Sequence, residues 1–340
     1  MEQIKEEIIE AIEKAQSQDA EMISIYNNEI KKEKKNNFVF FIKPEITKPS
    51  DSIDLAAILD LIFKKLDNFD VITTDVRLLS ASYMDKHNIA ARHYGVINAI
   101  ARNAKGAMSQ EAKDKFAALF GPIDENNVMG GIEFQHAYPE WTAEKLDALW
   151  EKSDTVKLAG GTYCAKIDKD GKIIYLINGF HPMQLNHFIE KGRSIIVFNA
   201  SSNLNWEELR GNLIGATNPK KAADSSIRAA LFKAQNDLGL DNISQGYNGV
   251  HLSAGPVEGL VELIRFFGDE ATPLDQQIQD YPFGRDLSGV FNSLTIKEIL
   301  GNKNIQINNT VTNIFDATEE MNSDDALKFL QTLQQRSQAV

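Results

Sequence analysis

Apolar residues recur at two different periods along this chain, and the switches between them divide it into elements. Ile4, Ile8, Ile9 and Ile12 lie three and four apart, which predicts an amphipathic helix before the basic cluster "KKEKK". The run "FVFFI", Phe38 to Ile42, is continuously apolar and is stopped by Pro44, the mark of a buried strand. Ser52 and Asp54 offer caps for a helix through "LAAILDLIFKKL", and "FDVITTDVRLL" then returns to a strand pattern. Ser80 caps a further helical stretch, "ASYMDKHNIAARHYGVINAIARNA". Residues 105–177 differ in texture. Two polar helical patterns, 109–120 and 142–152, surround a Gly/Pro-rich connection and precede "TYCAKIDKDGKIIYLI", two strands about an Asp-Gly turn. The turn "DKDG" lacks the glutamate and the spacing of a calcium loop.

After Gly179 the pattern gives a helix, the strand "RSIIVFNA", a helix near "WEELRGNLIG" and the basic loop "ATNPKKAADSSIR". A strand carrying His251 and the helix "PVEGLVELIRFF" follow, and the tail alternates short helical patterns with Asn-rich turns. With 105–177 set aside, this order is the β-α-β-β-α-β plan of an α+β protein, a ferredoxin-like antiparallel sheet with helices on one face. It implies three regions: an N-terminal helical extension over 1–35, a main domain over 36–270 with an α/β-hairpin insertion at 105–177, and a C-terminal helical extension over 271–340.

Composition changes the picture mainly by exclusion. At 340 residues, 43% hydrophobic and 25% charged, the chain can bury a large core. A net charge of −12 argues against general nucleic-acid binding, yet it leaves room for a local basic pocket. Cys164 is the single cysteine, so neither an internal disulfide nor a cysteine metal cluster can form. The N-terminal segment lacks the apolar centre of a signal peptide, and no run of about eighteen apolar residues occurs. The expectation is a cytoplasmic protein with no membrane partner.

Four clusters could carry chemistry. Lys43 ends the first strand, where a rigid strand end and Pro44 could aim its ammonium at phosphate oxygens, or simply let it reach solvent. The segment from Leu213 to Arg228 joins a turn containing Gly215 and Thr217 to Lys220, Lys221 and Arg228, a composition suited to a solvated loop or to a polyphosphate cradle. His251 stands at a strand end in "NGVHLS", with Asn248 before it and Ser253 after it. Imidazole is nucleophilic at neutral pH and can carry a phosphoryl group, provided a carboxylate fixes its tautomer. Glu262, eleven residues on, can supply one if its helix packs beside the strand.

Taken in order, "IKPE", "HY" at His93–Tyr94, "GATNP" at 215–219, "IR" at Ile227–Arg228 and "NGVHLS" at 248–253 resemble the nucleoside diphosphate kinase family. The resemblance covers roughly half of the chain, about 37–101 and 178–270. It implies a ferredoxin-like fold and transfer of a terminal phosphate from a nucleoside triphosphate to a nucleoside diphosphate through a phosphohistidine. It makes His251 the phosphate acceptor and Glu262 its orienting carboxylate. Lys43, Thr217 and Arg228 become phosphate contacts, Tyr94 and Ser253 neighbours of the histidine, Asn248 a sugar contact and Phe180 the base-stacking aromatic. Mg²⁺ carried on the nucleotide phosphates and a homo-oligomer are implied with them.

The departures from the family pattern are specific. Asn178 and Gly211 stand where it has arginines, Ala254 where it has an aspartate, Leu252 where it has a glycine, and "KPE" replaces "KPD". Arg210 lies one place before Gly211, which on an α-helix turns its side chain by about 100°. A catalytically weak or silent nucleotide-binding or scaffolding module is the alternative expectation.

Overall fold

The computed structural model describes residues 2–18, 20–28, 34–125, 127–269, 271–307 and 310–338. They form two compact units, one of Met1–Ala81 with Gly192–Val340 and one of Ser82–Lys191. Both mix helices with largely antiparallel sheet. Among the described residues, no helix is long and apolar enough to cross a membrane.

The first unit is built on a five-stranded sheet. The elements that position the site are, in chain order, α1 (Glu2–Gln18), β1 (Met22–Asn27), β2 (Asn36–Ile42), α2 (Leu55–Asn68), β3 (Ile72–Ser80), β4 (Ser194–Ser202), α3 (Ile227–Ala234), β5 (Val250–Leu252), α4 (Pro256–Phe267) and α5 (Ser323–Gln338). The strand order is β1-β3-β4-β2-β5 with every neighbouring pair antiparallel. β2 and β3 both flank β4, so they run parallel, and α2 supplies the crossover that parallel strands need. Asp54 starts α2 by accepting from Ala57 N–H at 2.9 Å.

Alternate residues of β2 explain why its run is unbroken. Phe38, Phe40 and Ile42 face one side, where α1, α2 and α3 close the main core with Ile8, Ile58, Leu59, Ile62, Ile227 and Leu231. Phe63 of α2 reaches Phe198 of β4, which also meets Phe40. Phe41 faces the opposite side and meets Phe266 of α4. The sheet therefore carries helices on both faces, which corrects the expectation of helices on one. A strand apolar at every position needs cover on both sides, and α4 provides the second cover.

Other corrections concern the ends and the insertion. The N-terminal region holds a strand as well as a helix: β1 extends the sheet beside β3, and its short "MISIYN" pattern lies next to the helical repeat. Residues 31–33 of the basic cluster fall outside the described residues. The second unit runs Ser82–Lys191, wider at both ends than the 105–177 segment, so Tyr94 and Phe180 belong to it. The stretch read as one helix after Ser80 breaks into Ala81–Lys86, Ile89–His93 and Gly95–Arg102, with Asn88 in the left-handed region at φ 51. Helix α3 lies where the basic loop was expected to lead straight into the strand. Ser226 caps it through Ala229 N–H, and Ile227 and Leu231 bury its inner face. The C-terminal region adds a hairpin, Asn304–Ile307 with Thr310–Asn313, to its helices.

Within the second unit a four-stranded sheet has apolar clusters around Phe116 and around Phe134. The Asp-Gly turn is present: Asp170 and Gly171, at φ 54 and 81, join Thr162–Lys169 to Lys172–Ile177.

Candidate active site

The site grows from the short strand β5 and the turn before it. Gly249 precedes β5 at φ 80, a left-handed conformation that favours glycine, and a Cβ there would come within 2.5 Å of the Leu231 side-chain tip. Lys43 N–H donates to Gly249 O at 2.9 Å, and Gly249 N–H donates to Glu45 Oε1 at 2.7 Å. The glutamate of "KPE" thus pins the turn that presents β5. His251 pairs with Phe41 across the ladder. Lys43 lies two residues beyond Phe41 in extended conformation, so its side chain leaves the sheet on the His251 face about 7 Å further along.

His251 Nε2 lies 2.9 and 3.1 Å from the two oxygens of Glu262, which is fully buried on α4. An ionised carboxylate can only accept, so Nε2 carries a proton, and in the neutral ring the lone pair resides on Nδ1. Ser253 Oγ donates to Glu262 Oε2 at 2.5 Å and accepts from Val39 N–H at 3.0 Å. Ser253 is itself buried and acts as a bridge fixing the carboxylate to β2. One helical turn before Glu262, burial and then the Glu262 charge push the Glu258 carboxyl up to about 8. It holds its proton at neutral pH, and the nearby Arg210 and Arg265 only partly offset this.

Cations gather along the same edge of the sheet. Lys43 Nζ donates to Asn248 Oδ1 at 2.8 Å, while Asn248 Nδ2 donates to Thr217 O at 3.1 Å. Burial pulls the Lys43 ammonium down to about 8; Glu45 works against this and Arg228 adds to it. Arg228 is buried and donates to Gly215 O at 2.8 Å and Val250 O at 3.0 Å, tying the loop to β5. Thr217 is exposed. Arg210 stands in a π-helical segment, Leu209–Ile214, where Gly215 N–H donates to Arg210 O at 3.1 Å across five residues. Its guanidinium donates to Leu252 O, next to His251, at 3.0 Å.

The structure therefore brings Lys43, Arg210, Arg228, Asn248, His251, Ser253 and Glu262 onto one unit, with Thr217 at the rim. Tyr94 and Phe180 sit in the packing of the other unit. Tyr94 meets Phe188 and His181 edge-on, and Phe180 meets Trp150 and Tyr163. Asn178 has a structural task there: at φ 50 it accepts from Tyr163 N–H and donates to Gly161 O. Glu45 entered the sequence pattern only as the glutamate of "KPE", without the role it has here. Glu258 and Glu319 were not singled out; of these two, Glu258 left a signal, its four-residue spacing from Glu262 on a helix.

No protein-family model and no curated protein matches this sequence.

Proposed function

We propose that the chain is a nucleoside diphosphate kinase-like phosphotransferase working through a phosphohistidine on His251. The observation that carries this reading is the grip of buried Glu262 on His251 Nε2, at 2.9 and 3.1 Å, which directs the lone pair to Nδ1. Nδ1 attacks the terminal phosphorus of a nucleoside triphosphate, an N–P bond forms, and the bond to the bridging oxygen breaks so that the diphosphate leaves. The N–P bond then yields to the terminal oxygen of an acceptor diphosphate, and His251 returns to its starting state. Glu262 stabilises the charge that develops on the ring in both directions, and Ser253 holds Glu262 still.

The order β3-β4-β2-β5 supports the ferredoxin-like βαββαβ core, with β1 an added edge strand and α4 cover for the second face. Phosphoryl transfer asks mainly for positioning and charge neutralisation, which Lys43, Arg210 and Arg228 can give phosphate oxygens. These donors are cations and do not suit a bare metal ion. Mg²⁺ fits here as cargo of the nucleotide, where it would neutralise phosphate charge. Incubation with ATP labelled on its terminal phosphate tests the reading. An acid-labile, alkali-stable label that is absent in His251→Ala and discharges onto GDP is the expected result; nucleotide binding without any label overturns it.

A second reading, a silent nucleotide-binding or scaffolding module, is favoured by one observation. Arg228 and Arg210 both donate to backbone carbonyls, Gly215 O, Val250 O and Leu252 O, as structural arginines do.

A further inference from the structure

The C-terminal turn at Thr318–Ser323 docks against the end of β5. Glu320 N–H donates to Ala254 O at 2.9 Å. Asn322 Oδ1 accepts from Trp206 N–H at 3.1 Å, and Asn36 Oδ1 accepts from Ser323 N–H at 3.1 Å. Gly255 permits the approach, because a Cβ there would lie 2.6 Å from Thr318 O. The backbone of the turn is thus well anchored, while the side chains of Glu319 and Glu320 remain 47% and 45% exposed. Both reach Arg210: Glu319 Oε1 lies 3.5 Å from its Nη2 and Glu320 Oε1 lies 3.9 Å from its Nε. Glu320 sits at φ 60, a left-handed conformation that glycine or asparagine fills at lower cost. The backbone does not ask for glutamate at this position.

We infer that Glu319 and Glu320 form an acidic clasp on Arg210, which a polyanionic ligand must displace by side-chain rotation before it gains that guanidinium. The inference rests on the proposed reading of the site as a phosphate-binding one. The two carboxylates occupy the edge of the guanidinium that a phosphate would engage in paired hydrogen bonds. They also add negative charge beside the ligand's path. The contacts are long and half-exposed, so they are weak enough to be exchanged and strong enough to set a threshold. The clasp therefore sets a cost that a polyanion must meet before it gains Arg210.

Full-length protein is titrated calorimetrically with inorganic tripolyphosphate, in the wild type, in Glu319→Gln/Glu320→Gln, in Arg210→Gln and in the triple variant. The expected result is about fivefold tighter binding in the glutamate double variant at low salt, shrinking as salt rises. That gain disappears on the Arg210→Gln background. Wild-type binding with no gain in the double variant overturns the clasp alone, as does a gain that persists without Arg210, since it then reflects general charge. Failure of every variant to bind tripolyphosphate or MgATP overturns the phosphate-site reading, and the clasp with it.

Discussion

Phe41 lies flat against His251, with ring centroids 4.4 Å apart and planes 21° from parallel. The imidazole is thereby clamped on one face by a buried aromatic while Glu262 fixes its Nε2 edge. A ring held in this way has one orientation and one tautomer, which a nucleophile needs and a merely packed histidine does not.

Replacing Glu262 by Gln keeps the size and removes the charge that supports the ring. Phosphorylation of His251 by MgATP is expected to slow on the order of 10²-fold or more. Nucleotide affinity should stay within about twofold, because Glu262 faces the histidine rather than the phosphates. Rapid-quench labelling and equilibrium binding measure the two effects separately. Equal loss in both would mean that Glu262 acts on binding.

Lys43 links ligand binding to pH. Its ammonium, ordinarily at 10.5, is pulled down to about 8 in the fold, so it is partly neutral just above that pH. Phosphate beside it favours the charged form and raises its pKa. Binding near pH 8.5 should therefore take up protons, and affinity should fall as pH climbs from 8 to 10. Calorimetry in buffers of different ionisation enthalpy reads the uptake directly, and Lys43→Met should remove it. The stability effect has the opposite slope. The unfolded chain binds the proton more tightly, so burial of the charge costs the native state about 3 kcal/mol below pH 8. That cost fades as pH rises towards 10.5.

Glu258 contributes to stability in the reverse sense. Its carboxyl is raised from 4.5 to about 8, so the native state holds a proton that the unfolded chain releases. Stability from this group is fully present below about pH 4.5 and is lost as pH rises through 8. Glu258→Gln should leave stability near pH 5 little changed and raise the urea midpoint at pH 8. An unchanged midpoint at pH 8 would place the carboxyl in a solvated environment.

Arg228 closes the loop 215–228 onto β5 through Gly215 O and Val250 O. Lysine has no planar fork and cannot span both carbonyls, so Arg228→Lys should destabilise by about 2–3 kcal/mol. Thermal unfolding checks this, and a loss of nucleotide binding without a loss of stability would point instead to a direct phosphate role.

Local pattern went far in this chain wherever the determinant was local. The unbroken run Phe38–Ile42 specified a buried strand, Asp54 marked the start of α2, and Asp170-Gly171 specified a two-residue hairpin turn, because each rests on periodicity or on a preferred dihedral. His251 and Glu262 could be named as partners only conditionally. Eleven residues separate them, and their contact depends on α4 folding back onto the sheet over β2, a packing choice that no local propensity encodes. The order of elements likewise led to helices on one face, and the cover that α4 gives the Phe41 face was decided by packing. Tertiary structure alone set the depressed ammonium of Lys43 and the retained proton of Glu258, since both follow from how much water the assembled fold excludes. It also brought Glu319 and Glu320 to Arg210 across more than a hundred residues. Such a contact leaves no periodic trace in the sequence, because it is made by the ends of side chains whose backbones are placed by other interactions.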